Sequence, residues 1–235
     1  PNYMQKNALE SLDNLRKNNK DKALLISATG TGKTYLAAFD VKAVHPKRIL
    51  FVVHRRSIAI KAMETFKTII KDKSMGLFSG DNRDIDCDYI FATIQTIYKP
   101  ENRQLFSKEE FNYIIIDEVH KAGANSYQEL VNYFKPQFLL GMSATPERTD
   151  DFDIYKMFDY NIAYEIRLQQ AMEYDLLCPF HYYGITDMTI DDHIIDDKSD
   201  FNLLVDEKRV DYVIDKKKLI GFLKCLINEV LIHAH

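Results

Sequence analysis

The run Ser27-Ala28-Thr29-Gly30-Thr31-Gly32-Lys33-Thr34 follows directly on the apolar stretch Ala23-Leu24-Leu25-Ile26. A Gly-containing turn between an apolar strand and a helix opening on Lys-Thr aims backbone N–H groups and the positive end of the helix at one point. That is the chemistry of a polyphosphate cradle. Lys33 has the reach to bring an ammonium to β- and γ-phosphates, and the Thr34 hydroxyl suits Mg²⁺. The strict pattern begins with Gly, and Ser27 stands at that position here; Gly30 and Gly32 lie inside the turn. The plain alternative is an ordinary Gly-containing turn, and it explains none of the reactive segments further along the chain.

The first of these is Asp117-Glu118-Val119-His120, after the apolar run Tyr113-Ile114-Ile115-Ile116. Adjacent carboxylates at a strand end, opposite a phosphate cradle, divide the work naturally. Asp117 can hold the Mg²⁺ that bridges phosphate oxygens, while Glu118 orients and deprotonates a water. Without the cradle, the same pair would read as an acidic turn favouring a helix N-terminus. Ser143-Ala144-Thr145 ends a later apolar run, and Val53-His54-Arg55-Arg56 and Phe91-Ala92-Thr93-Ile94-Gln95-Thr96 end two others. In the latter two, short hydroxyl, amide and guanidinium donors suit phosphate contacts along a nucleic-acid strand, whereas Ser143-Ala144-Thr145 by itself reads as a hydroxyl-bonded turn ending a strand. Solvated helix starts at Arg55 and Arg56, and helix caps at Thr93 and Thr96, are the simpler alternatives.

The elements that must position these groups are legible as alternation. Short runs apolar on both faces, Ala23–Ile26, Arg48–Val53, Tyr89–Ala92, Tyr113–Ile116 and Phe138–Met142, read as buried strands. Helical spacing separates them at Tyr3–Lys17, Lys33–Val44, Ile58–Ile70 and Ser126–Phe134. Strands of this kind alternating with amphipathic helices predict an α/β fold, a mostly parallel sheet covered on both faces. Each reactive segment then falls at the C-terminal end of a strand, where open α/β sheets bind ligands. Phe51, Phe66 and Phe91 read as core. Beyond Asp150 the texture changes, with short helices expected at Ile154–Phe158 and Arg167–Tyr174 and a strand at Phe180–Ile185. An acidic loop or hairpin tip is expected at Asp191–Asp200, and helices at Asp206–Lys217 and Leu219–Ile232.

The bulk composition narrows the class. With 235 residues, 46% hydrophobic and 28% charged, the chain can bury a sizeable core and is not of the disordered type. A net charge of −4 means that any nucleic-acid groove is a local patch. Cys87, Cys178 and Cys225 form no Cys-x-x-Cys spacing, so neither a zinc site nor a disulfide framework is indicated and a reducing cytoplasm is expected. No apolar run has the ~18 residues of a membrane helix, and Pro1-Asn2-Tyr3-Met4-Gln5 has no signal-peptide character.

Taken in order, Ala-Thr-Gly-Thr-Gly-Lys-Thr, Asp-Glu-Val-His and Ser-Ala-Thr resemble the superfamily 2 helicases and translocases. Within them the chain most resembles DEAD/DEAH-box bacterial proteins related to the motor (Res) subunits of type I and type III restriction enzymes. The resemblance covers roughly residues 1 to 185. It implies a RecA-like ATP-binding domain over residues 1–150, with residues 151–235 a connector and the truncated start of a second RecA-like domain. It implies ATP and Mg²⁺ as cofactors, DNA or RNA as the track, and the rest of the second domain as a missing partner that supplies arginine fingers. Gln5 would read the adenine edge. Thr29, Gly30, Thr31, Gly32, Lys33 and Thr34 would cradle the phosphates, with Thr34 and Asp117 on the metal and Glu118 as base. His120 would contact the γ-phosphate region or the Ser-Ala-Thr segment. Ser143 and Thr145 would couple the site to the nucleic-acid face, formed by His54, Arg55, Arg56, Thr93, Gln95 and Thr96. Arg148 matches a recurring Arg whose role stays open.

Two other function classes compete with the motor. One is a nucleotide-binding switch or scaffold inside a larger restriction-type complex, which would bind ATP without hydrolysing it. The other, a P-loop small-molecule kinase, gives no reason for Ser143-Ala144-Thr145 at the next strand end.

Overall fold

The computed structural model describes residues 1–119, 125–145, 153–174, 176, 188–190 and 193–195. The chain packs as two units, Pro1–Pro179 and Phe180–His235. The first is built on eight strands: β1 (Lys22–Ser27), β2 (Ile49–Val53), β3 (Met75–Ser79), β4 (Asn82–Arg83), β5 (Tyr89–Thr93), β6 (Tyr113–Ile116), β7 (Phe138–Ser143) and β8 (Ile162–Ile166). Their order in the sheet is β4-β3-β5-β2-β6-β7-β1-β8. All pairings are parallel except that of β3 with β4. The expected α/β class is what the structure shows.

A period-two pattern divides the core. Ala23 and Leu25 of β1, Ile49, Phe51 and Val53 of β2, and Tyr113 and Ile115 of β6 face one apolar layer. Leu24 and Ile26, Leu50 and Val52, and Ile114 and Ile116 face the other. Successive strand side chains point to opposite faces, so only runs apolar at every position can be covered on both sides. Helices α1 (Tyr3–Lys17), α2 (Lys33–Val44) and α3 (Arg56–Ile69) supply Ala8, Leu12, Leu36, Val41, Ala62 and Phe66 to the first layer. There Phe51, Phe66 and Phe91 form a fully buried aromatic trio with ring centres 5.2 to 5.5 Å apart. The short helices α4 (Ile94–Ile97) and α5 (Pro100–Arg103) follow β5. Helix α6 (Asn125–Tyr133) brings Tyr127 and Leu130 to the second layer.

Three strands lack the pattern used to find the others. β3 is interrupted by Gly76, and the two-residue β4 forms its antiparallel edge. β8 lies between the short helices α7 (Ile154–Met157) and α8 (Leu168–Glu173), and pairs in parallel with β1. In the second unit, β9 (Met188–Ile190) pairs antiparallel with β10 (His193–Ile195), so part of the expected acidic loop is strand. The expected strand at 180–185 and helices at 206–217 and 219–232 lie outside the described residues. Among the described residues no helix is long and apolar enough to cross a membrane.

Candidate active site

Burial of β1 on both faces carries the chain to the end of the sheet, where it must turn into α2. The turn uses left-handed backbone at Gly30 (φ 89°) and Gly32 (φ 86°), a region that residues with a Cβ rarely enter. At Gly32 a Cβ would also stand 2.9 Å from the Gln5 amide nitrogen. The buried hydroxyls of Ser27 and Thr31 lie 2.5 Å apart, and Thr31 also donates to the Ala28 carbonyl at 2.7 Å. Ser27, at the position where the strict pattern has Gly, thus pins the turn from inside.

Lys33 opens α2 and folds its side chain back over the turn. Its Nζ donates to the carbonyls of Ser27 (2.8 Å) and Ala28 (3.2 Å). Burial lowers its pKa from the ordinary lysine value, against the attraction of Asp117 and Glu118. Asp117 continues β6, its N–H bonded to the Val52 carbonyl at 3.0 Å. Its Oδ1 accepts from the Glu118 N–H at 2.9 Å. Burial pushes the Asp117 carboxyl upward, opposed by that N–H and by Lys33. Glu118 adopts φ 53°, left-handed backbone in a residue with a Cβ, at a cost of order 1–2 kcal/mol. One cleft of about 500 Å³ is lined by Thr29, Gly30, Gly32, Lys33, Thr34, Asp117, Glu118, Ala144 and Thr145. The structure therefore brings the ammonium and both acids to one opening. Tyr35 and Thr65 also line it, and no signal in the sequence singles them out.

The donor set suits a magnesium triphosphate. A buried ammonium held by the backbone carbonyls of Ser27 and Ala28 is ready to exchange them for phosphate oxygens. A threonine hydroxyl and a carboxylate are the hard oxygen ligands that Mg²⁺ takes beside phosphates. Gln5 sits at the cleft's margin. Its side-chain oxygen accepts from the Asn2 N–H (3.0 Å) in the capping box that starts α1, and its Nε2 donates to the Gly32 carbonyl at 3.4 Å. Ser143 ends β7 fully buried and accepts from the Thr145 N–H at 3.2 Å. His120 and Arg148 lie outside the described residues.

The remaining candidates gather at the ends of β2, β3 and β5. Gln95 donates to His54 Nδ1 at 3.0 Å, on the exposed rim with Arg55. Thr93 and Thr96 are buried beneath, their hydroxyls 3.0 Å apart, and Thr93 donates to Ser79 at 3.0 Å. They shape this surface from below. Arg56 donates to the Ser79 carbonyl (2.9 Å) and to the Asn82 side chain (2.7 Å), so it braces the β3–β4 turn.

A parallel sheet with a phosphate cradle after β1 and paired acids after β6 defines a RecA-like P-loop nucleotide-binding domain. The family model described as "Type III restriction enzyme, res subunit" matches residues 1–148, and the chain belongs to that family. It carries a superfamily 2 helicase motor domain. It is 28% identical, over 88% of its length, to a type I restriction enzyme EcoAI endonuclease subunit of Escherichia coli, covering 29% of that protein. It is 30% identical, over 82% of its length, to the putative ATP-dependent helicase IRC3 of Saccharomyces cerevisiae, covering 31%. In fold it resembles a nuclease-deletion mutant of the type ISP restriction-modification enzyme LlaGI in complex with a DNA substrate mimic. The TM-score is 0.57 at 20% identity, covering 73% of this chain and 20% of that one. The chain thus spans less than a third of each of these two curated relatives.

Proposed function

We propose that the chain is the N-terminal ATP-binding part of a helicase or translocase that hydrolyses ATP to move on DNA, with RNA as the other possible track. One observation carries the reading: Lys33, Thr34, Asp117 and Glu118 line the same cleft. In this reading residues 29–34 cradle the phosphates, and Lys33 exchanges its two carbonyl partners for phosphate oxygens. Thr34 and Asp117 would hold Mg²⁺, which would neutralise charge on the phosphates. Glu118 accepts a proton from the attacking water, and Gln5 links the adenine side to the turn through Gly32. Ser143 and Thr145 would pass closure of the cleft to the exposed Arg55 and Gln95 and the half-buried His54 of the nucleic-acid rim. Residues 151–235 would form the connector and the start of a second RecA-like domain, the remainder of which supplies the arginine fingers.

An arginine finger contributes about 10³–10⁵-fold in turnover. The 235-residue chain alone is therefore expected to bind ATP weakly and hydrolyse it slowly. A steady-state assay showing rapid, nucleic-acid-stimulated turnover by this chain alone would contradict the proposal. Glu118→Gln separates a motor from a switch: a motor keeps ATP binding and loses hydrolysis, whereas a switch that never hydrolyses is unchanged.

A further inference from the structure

With Glu118 read as the base, one buried polar group near it has no assigned work. Tyr127 lies on α6, only 2% exposed. It packs in the apolar layer that also holds Ile116 and Val119, the residues bracketing Asp117 and Glu118 in the chain. Among the described residues its hydroxyl has no hydrogen-bond partner. A buried hydroxyl left unbonded is destabilising, and phenylalanine would fill the same space without the penalty. Burial, and then the carboxylates of Glu118 and Asp117, raise the pKa of this phenol, so it keeps its proton and can act only as a neutral donor toward them. Among the described residues, Lys33 on α2 is a cation that acts on those carboxylates. Helix α4, packed against α6, carries no ionisable side chain. On α5, Arg103 is paired with the half-exposed Glu129 of α6.

The left-handed backbone at Glu118 adds a second observation. A strained turn keeps its geometry only while surrounding groups hold it, and the Tyr127 hydroxyl is a donor in reserve within the apolar layer that holds Ile116 and Val119 on either side of that turn.

We infer that Tyr127 is a positioning residue whose hydroxyl donates to the Glu118 carboxylate in the nucleotide-loaded state, fixing the base against the attacking water. This rests on the proposed role of Glu118.

The test compares Tyr127→Phe, Glu118→Gln and wild type in the full-length protein. Three quantities are read: the thermal midpoint without nucleotide, its upward shift with Mg-ATP, and kcat and KM for ATP. For Tyr127→Phe the nucleotide-free midpoint should stay level or rise, because an unbonded hydroxyl has been removed. The shift with Mg-ATP should shrink, and kcat should fall roughly tenfold with KM within about twofold, the signature of an interaction made after binding. A lower nucleotide-free midpoint would show a merely structural tyrosine and overturn the inference. So would a kcat equal to wild type in a protein that hydrolyses ATP. A wild type without hydrolysis, unchanged by Glu118→Gln, would sink the base assignment itself.

Discussion

The two ends of the sheet treat buried charge in opposite ways. Where the strands begin, Arg16 of α1 and Asp40 of α2 are paired through both guanidinium nitrogens, Nη1 donating to Oδ1 at 2.9 Å and Nη2 to Oδ2. The Tyr113 hydroxyl donates to the same carboxylate at 2.6 Å and accepts from Arg16 at 3.1 Å. The guanidinium stacks 4.2 Å from the centre of the Phe138 ring. Where the strands end, Lys33 is held among the described residues by the backbone carbonyls of Ser27 and Ala28, Glu118 is strained, and Tyr127 has no hydrogen-bond partner among those residues. The cavity beside the Arg16–Asp40 pair is the larger, about 560 Å³ against 500 Å³. Volume therefore does not locate the chemistry in this protein. A bidentate ion pair, its Arg16 Nε without a partner among the described residues, marks the end that holds the fold together, and an ammonium held by backbone carbonyls beside two acids marks the end poised for a ligand.

The sharpest way to break this contrast is to remove one carboxylate at each end. Glu118→Gln should cut hydrolysis by roughly 10²–10⁴-fold, the usual contribution of a general base, with ATP affinity and melting temperature nearly unchanged. Asp40→Ala should do the reverse. It strands Arg16 without its anion, and breaking a buried pair costs about 3 kcal/mol or more. Denaturant titration should show the lost stability while ATP binding by the folded fraction is retained. If Asp40→Ala lowered ATP affinity, or Glu118→Gln unfolded the protein, the division between the two ends would fail.

A smaller effect is expected midway along the sheet. Gly141 of β7 faces Phe158, and a Cβ there would stand 2.3 Å from the ring. Gly141→Ala overpacks that layer, which typically costs about 1–3 kcal/mol. The melting temperature should fall with no change in the ATP dissociation constant. A change in affinity beyond the loss of folded protein would show that the sheet couples its layers to the cleft.

What the sequence made legible follows the same physics. β2, β5 and β7 are apolar enough to be buried at every position, so composition alone locates them, and the groups at their ends follow. β3 hides because Gly76 breaks its apolar run. The missing side chain leaves room for Asp84 and Cys87, whose atoms would stand 2.5 and 2.7 Å from a Cβ. β8 hides because it is a sheet edge, with Ile162 and Glu165 exposed, and its pairing comes from β1 more than from its own pattern. The cradle and the acids are visible because adjacent residues carry them. Tyr127 is not, since in a sequence it is one more aromatic on an amphipathic helix. Only packing reveals that its hydroxyl lacks a partner among the described residues.

The finest division falls between two neighbouring arginines at the proposed nucleic-acid rim. In the sequence Arg55 and Arg56 are equivalent candidates. In the structure the guanidinium of Arg56 is committed to the Ser79 carbonyl and the Asn82 side chain, while Arg55 is exposed as the N-cap residue of α3. An exposed guanidinium that meets a phosphate releases about one counterion. Arg55→Ala should therefore weaken single-stranded DNA binding evenly across sequences and lower the salt slope by about one. Arg56→Ala removes a brace of the β3–β4 turn. It should reduce stability by roughly 1 kcal/mol, the net worth of a few partly exposed hydrogen bonds, and leave the salt slope in place. Binding isotherms at several salt concentrations separate the two. A slope lowered equally by both substitutions would mean that Arg56 leaves the turn when nucleic acid arrives, and that this rim is poised in the same way as the cleft.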